Sequence, residues 1–254
     1  MVWLKRFILS IQFLTRIPIP IQLKIESIDL VKSIIFFPAV GFIIGVLMMV
    51  GFYIPHVLLF KWLPPFMAVL IQTLITGALH VDGLGDTCDG IFSNRSKEKM
   101  LEIMRDSRIG TNAGIAIIFD LMIKMILIFE IYSIIGIQVL PVIIAIPILG
   151  RMGIIMAASI SSYARKESGL GQHFVDGVGF FEWFISSLIG FLLLFILFRS
   201  SIITFVFLID IIALLLALYF KAKIGGLTGD TLGAINEVCE IMFLFLYFVL
   251  LGRI

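Results

Sequence analysis

The residues of this chain best equipped for chemistry lie in one stretch, His80-Val81-Asp82-Gly83-Leu84-Gly85-Asp86-Thr87-Cys88-Asp89-Gly90. Asp82, Asp86 and Asp89 are spaced i, i+4 and i+7. On a helix this puts the three carboxylates on one face, at about 0°, 40° and −20° around the axis. Like charges stacked this way repel unless a cation stands between them. Mg²⁺ suits the position, because it takes carboxylate oxygens and leaves coordination places for phosphates. His80 precedes the cluster, and three roles are open to it: metal ligand, general base or helix cap.

A second acidic set, Asp230, Glu237 and Glu240, follows at i, i+7 and i+10, again on one helical face. Glu237 and Glu240 fall inside an apolar run, where a carboxylate is expensive and marks function. Two acidic faces opening on the same side would form a divided metal site able to grip a diphosphate and stabilise charge on a leaving phosphate. Arg95, Arg105, Arg108 and Arg165 are the basic partners. Arg105-Asp106-Ser107-Arg108-Ile109-Gly110 sets two guanidinium groups beside a glycine turn, a pattern suited to phosphate oxygens. Gly225-Gly226-Leu227-Thr228-Gly229-Asp230 lacks the Lys-Ser/Thr of a Walker loop. It offers either backbone N–H groups to an anion or a simple turn.

These groups must be carried by membrane helices. Of 254 residues, 61% are hydrophobic and 14% charged, with a formal charge of +2; a soluble domain carries roughly 25% charged residues. The expected fold is all-α: a single membrane-embedded domain over 1–254 with about seven transmembrane helices and an N-terminal interfacial helix. Residues 1–20, with Lys5, Arg6, Gln12 and Arg16 among the apolar positions, suit a helix lying in the interface; no cleaved leader is expected. Spans are expected over about 33–53, 58–79, 112–135, 139–160, 183–198, 202–220 and 234–251. The second leads straight into His80–Gly90. Gly41, Gly45 and Gly51 thin one side of the first for close helix contact. Ser96 is expected to cap a short helix outside the hydrocarbon.

Seven spans place the loops after spans two, four and six on the N-terminal side, so all the polar motifs converge on one face. Lys5, Arg6, Arg16, Lys24, Lys32, Arg95, Lys97, Lys99, Arg105, Arg108, Arg165, Lys166, Lys221 and Lys223 lie on that side, against Lys61, Arg199 and Arg253 on the other. The bias marks the motif side as cytoplasmic. Within the spans, Asp120 and Lys124 are expected to pair at i, i+4, whereas Glu130 and Asp210 have no local partner. Cys88 and Cys239 form no metal spacing and read as packing residues. His173 and His56 are weaker candidates than His80.

Phe13-Leu14-Thr15-Arg16-Ile17-Pro18, the His80–Gly90 motif, Met104-Arg105-Asp106-Ser107-Arg108-Ile109-Gly110, Tyr163-Ala164-Arg165 with Gly169-Leu170-Gly171, and Gly226-Leu227-Thr228-Gly229-Asp230 through Glu237 together resemble the cobalamin synthase family. The likeness runs in order through nearly the whole chain and departs from it at Gly85 and Cys88, neither a proposed ligand. It implies a Mg²⁺-dependent adenosylcobinamide-GDP ribazoletransferase. In that reaction the 3′-hydroxyl of α-ribazole, or of its 5′-phosphate, attacks the cobinamide-bound phosphorus and GMP leaves. Under the resemblance, Asp82, Asp86, Asp89, Asp230 and Glu237 hold metal, and Arg95, Arg105 and Arg108 hold the diphosphate or leaving GMP. His80, or the aspartate least tied to metal, deprotonates the hydroxyl.

Two rival readings exist. A CDP-alcohol phosphatidyltransferase-like enzyme would share Asp86-x-x-Asp89-Gly90, but Phe92, Ser93 and Asn94 break the Ala-Arg step and no second aspartate pair follows. An ion-coupled transporter would use Asp120, Glu130 and Asp210 at the bilayer midplane. The expected partners are small-molecule substrates and the lipid bilayer, with no nucleic acid; a homo-oligomer is left open. The expected location is the cell membrane, with the site facing the cytoplasm.

Overall fold

The computed structural model describes residues 2–165, 170–199 and 202–251; Lys166, Gly169, Ser200, Ser201 and Arg253 lie outside them. The described residues form helices α1 (Val2–Leu14), α2 (Ser27–Ser33), α3 (Phe37–Val57), α4 (Leu63–Thr76), α5 (Leu79–Phe92), α6 (Lys97–Ile103), α7 (Thr111–Ile135), α8 (Leu140–Ser159), α9 (Leu170–Asp176), α10 (Phe180–Phe198), α11 (Ile202–Ile224) and α12 (Gly229–Leu251). Among the described residues, five stretches are long and apolar enough to cross a membrane, or six if the bent pair α4–α5 is one span. One of them, Thr111–Ser159, is 49 residues long. At ~1.5 Å per residue it exceeds twice the ~30 Å hydrocarbon thickness, so it holds two passes, α7 and α8, which turn at Gly136 (φ 57°). The seven expected spans thus correspond to α3, α4 with α5, α7, α8, α10, α11 and α12.

The core forms around α8, which is buried along nearly its whole length and packs against α3, α10, α11 and α12. Gly41 lets α3 approach it: a Cβ there would stand 2.6 Å from the Pro147 carbonyl oxygen. α12 lies between α8, α7 and α5. α1 is too short to cross, and Lys5 and Arg6 tie it to α2 by ion pairs to Asp29 at 2.5 and 3.2 Å. α6 is the expected short polar helix, with Ser96 Oγ accepting from Lys99 N.

The second span differs from its expected course. It does not run straight into the acidic motif but breaks at Gly77 and Ala78, both left-handed (φ 61° and 58°), and α5 departs at 87° to α4. Gly77 N and Ala78 N turn back to the Leu74 and Thr73 carbonyls, a glycine C-cap that ends α4. Arg16 N donates to the Ile75 carbonyl at 2.6 Å, so the Thr15-Arg16 corner braces the same break. The acidic motif therefore sits on its own helix, laid across the bundle.

Candidate active site

α5 crosses α12 at two glycines. A Cβ on Gly83 would stand 2.8 Å from the Asp230 carbonyl oxygen, and one on Gly233 would stand 3.0 Å from the His80 carbonyl oxygen. No side chain fits between these backbones, so the start of α12 is held against the acidic face of α5. Asp230, in the first turn of α12, thereby joins Asp82 and Asp86. Asp86 lies in the combined field of Asp230, Asp82 and Asp89, opposed by Arg165.

Arg165 reaches the cluster by a strap. Ala164 N donates to the Leu227 carbonyl at 2.8 Å and Leu227 N to the Ser162 carbonyl at 2.9 Å, forming a parallel bridge between Tyr163 and Leu227. The Arg165 guanidinium then donates to Asp230 Oδ2 at 2.7 Å. Thr228 caps α12 through a reciprocal pair with Thr231: Thr228 N to Thr231 Oγ1 at 2.8 Å and Thr231 N to Thr228 Oγ1 at 3.2 Å. Gly226 is buried under the strap, its Cα facing the Ser162 carbonyl. Gly226 and Thr228 therefore build the turn that presents Asp230.

Asp89 does a different job from Asp82 and Asp86. Its carboxylate accepts from Gly110 N at 2.7 Å and Ala113 N at 2.9 Å, capping α7, where a negative charge also meets the positive end of the helix dipole. Glu237 is not beside Asp230 at all. It is buried and pairs with Lys124, in a second cluster where Lys124 Nζ also meets Glu240 Oε2 at 2.8 Å and Asp120 Oδ2 at 3.5 Å. Arg151 Nη1 donates to Glu240 Oε1 at 2.6 Å and Gln72 Nε2 to Glu240 Oε2 at 2.6 Å. His80 is buried between the two clusters, its Nδ1 3.4 Å from Arg151 Nη2. The pairing of Arg151 with Glu240 was not foreseen from the sequence. Its signal is Lys124 and Arg151, two cations within apolar spans that must find carboxylates there because lone buried charges are costly.

Of the other arginines, Arg105 lines a cleft of about 370 Å³ together with Lys97, Glu98, Glu102 and Arg165. Arg108 is exposed and paired with Asp106 at 2.6 Å. Its hydrogen bonds hold the Asp106 carboxyl down to about 2, so at neutral pH a phosphate would have to compete with Asp106 for Arg108. Arg95 is exposed on the turn between α5 and α6. A second cavity, of about 230 Å³, opens at the α5–α12 crossing and is lined by His80, Asp82 and Asp230 with Phe13, Phe37 and Phe174.

Among the described residues, no three His, Cys, Asp or Glu side chains stand close enough to enclose a metal ion by themselves. Apart from His80, whose ring is buried, the ionisable groups gathered at the crossing on the acidic side are carboxylates, with Asp82 exposed and Asp86 partly so. That is a hard, open oxygen set, and it fits an ion that binds through one or two carboxylates and completes its shell with water and phosphate.

Residues 6–248 match the family model described as cobalamin-5-phosphate synthase. The chain is 41% identical over 247 residues to the adenosylcobinamide-GDP ribazoletransferase of Clostridium novyi, covering 95% of each chain. It is 40% identical to that of Clostridium acetobutylicum over 99% of this chain and 98% of the relative, and 39% identical to that of Acetivibrio thermocellus over 98% and 99%. No solved structure matches the chain. With the family model spanning nearly every helix that builds the site, the chain belongs to the cobalamin-5-phosphate synthase family.

Proposed function

We propose that this protein is an adenosylcobinamide-GDP ribazoletransferase whose chemistry takes place where α5 crosses α12. The full-length likeness to relatives bearing that name carries the reading; Asp82 and Asp230 lining one cavity, with Asp86 in their field and Arg165 bonded to Asp230, supports the location. One or two carboxylates of Asp82, Asp86 and Asp230 would hold Mg²⁺, water and phosphate completing its shell, with Asp89 behind them as the cap of α7. Bound there, Mg²⁺ would neutralise charge on the diphosphate. Arg165 and Arg105, which share the neighbouring cleft, hold phosphate oxygens by charge-assisted hydrogen bonds. The site faces the cytoplasm in this reading, supported by the excess of Lys and Arg on the motif side.

The attacking 3′-hydroxyl of α-ribazole, or of its 5′-phosphate, forms a bond to the cobinamide-linked phosphorus. The phosphorus–oxygen bond to GMP breaks, and GMP leaves with the electron pair. The hydroxyl proton goes to a carboxylate, and the geometry favours Asp82 over His80. A guanidinium only donates, so beside Arg151 the His80 Nδ1 is the acceptor and the neutral ring carries its proton on Nε2. His80 is then a hydrogen-bond donor, unable to serve as base.

The protein purified in detergent is expected to release GMP from adenosylcobinamide-GDP only when α-ribazole is present, with one corrinoid product formed per GMP. GMP release independent of α-ribazole, or none, would contradict the reading. Gly83→Ala tests the placement: the added Cβ forces α5 and α12 apart, and a shift of ~1 Å at a reacting centre lowers turnover about 100-fold. Helix content by circular dichroism should be unchanged.

A further inference from the structure

Two chemically distinct groups line the cavity at the α5–α12 crossing. One is the carboxylate pair Asp82 and Asp230; the other is a box of three rings, Phe13 from α1, Phe37 from α3 and Phe174 from α9. The ring centroids lie 4.6 Å apart for Phe13 and Phe174, 5.8 Å for Phe37 and Phe174, and 6.1 Å for Phe13 and Phe37. These are the separations at which aromatic rings pack favourably. Resting on the ribazoletransferase reading, we propose that this cavity is the α-ribazole site. The benzimidazole lies against the cavity-facing side of this packed phenylalanine trio, and the ribose hydroxyls point to Asp82 and Asp230.

Size and charge decide between the two substrates. A cavity of about 230 Å³ falls below the roughly 300–1,000 Å³ of drug-sized ligand pockets. It suits one flat heterocycle with a sugar and excludes a corrin ring, which is several times larger. An apolar ring box also disfavours the diphosphate, whereas the adjacent cleft carries Lys97, Arg105 and Arg165 beside Glu98 and Glu102. The Asp230–Arg165 ion pair, 2.7 Å long, joins the two spaces. It thus marks the boundary where the attacking ribose hydroxyl meets the anionic diphosphate of the other substrate. α9 forms part of the wall through Phe174 and Gly171, so the segment 170–176 is a specificity element for the base.

Steady-state kinetics of two variants test this. Phe174→Leu removes one wall of the ring box. Leu79→Trp fills the cavity from its rim, where Leu79 is 40% exposed, so it stands even if Phe174→Leu fails to fold. For each, KM for α-ribazole should rise about tenfold, equivalent to about 1.4 kcal/mol, while KM for adenosylcobinamide-GDP stays within about twofold. Equilibrium dialysis of α-ribazole alone against the purified variants should show the same loss. A rise confined to adenosylcobinamide-GDP, or no rise for either substrate in a folded variant, would overturn the assignment while wild-type turnover leaves the reaction itself standing. A wild-type protein without turnover would overturn both.

Discussion

Glu240→Ala is expected to destabilise the protein by about 3–5 kcal/mol, the range found when one partner of a buried ion pair is removed. Glu240 is fully buried and accepts from Lys124, Arg151, Gln72 and Asn236 at 2.8, 2.6, 2.6 and 3.0 Å. Truncation leaves Arg151, itself at 0% exposure, without its carboxylate in the middle of the bundle. His80 Nδ1, 3.4 Å away, is a neutral and distant acceptor that does not replace the lost charge, so most of the desolvation penalty appears. Glu240→Gln keeps shape and an acceptor oxygen and should fall between wild type and Glu240→Ala. Unfolding followed in detergent micelles with increasing denaturant measures the loss; a change under about 1 kcal/mol would mean the cluster is not a structural keystone. Because Arg151 also meets His80, surviving Glu240→Ala protein should turn over slowly.

Asp230→Ala is expected to do the opposite: little to the fold, much to the rate. Its side chain is 24% exposed and its partners are Arg165 at 2.7 Å and, more weakly, Thr228 Oγ1 at 3.4 Å, so burial energetics are mild. In the proposed site, however, the same carboxylate faces the metal and the reacting phosphate. Removing one preorganised charge from such a centre lowers turnover by about 10²–10³-fold. Asp230→Asn retains an acceptor for Arg165 yet loses the charge, so it should resemble Asp230→Ala in rate and wild type in stability. Asp82→Ala should match it. Because the two act as a unit, the double variant should be scarcely slower than either single one. Measuring kcat/KM beside a melting curve separates the two expectations.

Much of this arrangement is written in local spacing, and the rest is not. The i, i+4, i+7 aspartates do share a face of α5, and the apolar runs do become the membrane helices. The left turn at Gly77 and Ala78 was hidden because only one of its two residues is glycine; Ala78 reads as an ordinary helix former. Asp230 and Glu237 share a helix face, but seven residues span about 10 Å along the axis. One therefore stands at the cavity and the other reaches Lys124 deeper in the bundle. Facial periodicity says nothing about depth. Asp120 and Lys124 approach each other as their i, i+4 spacing requires, yet the stronger partners of Lys124 come from α12, more than a hundred residues away. Arg165 likewise finds Asp230 only through the Tyr163–Leu227 bridge, a tertiary contact with no local signature.

Metal-dependent transfer at the α5–α12 crossing, as proposed, has a direct test. Protein stripped with chelator should release no GMP from adenosylcobinamide-GDP and α-ribazole, and adding Mg²⁺ back should restore release. At saturating Mg²⁺, Asp82→Ala and Asp230→Ala should remain about 100-fold or more below wild type. Full release from chelator-treated protein, or wild-type rates in both variants, would contradict it.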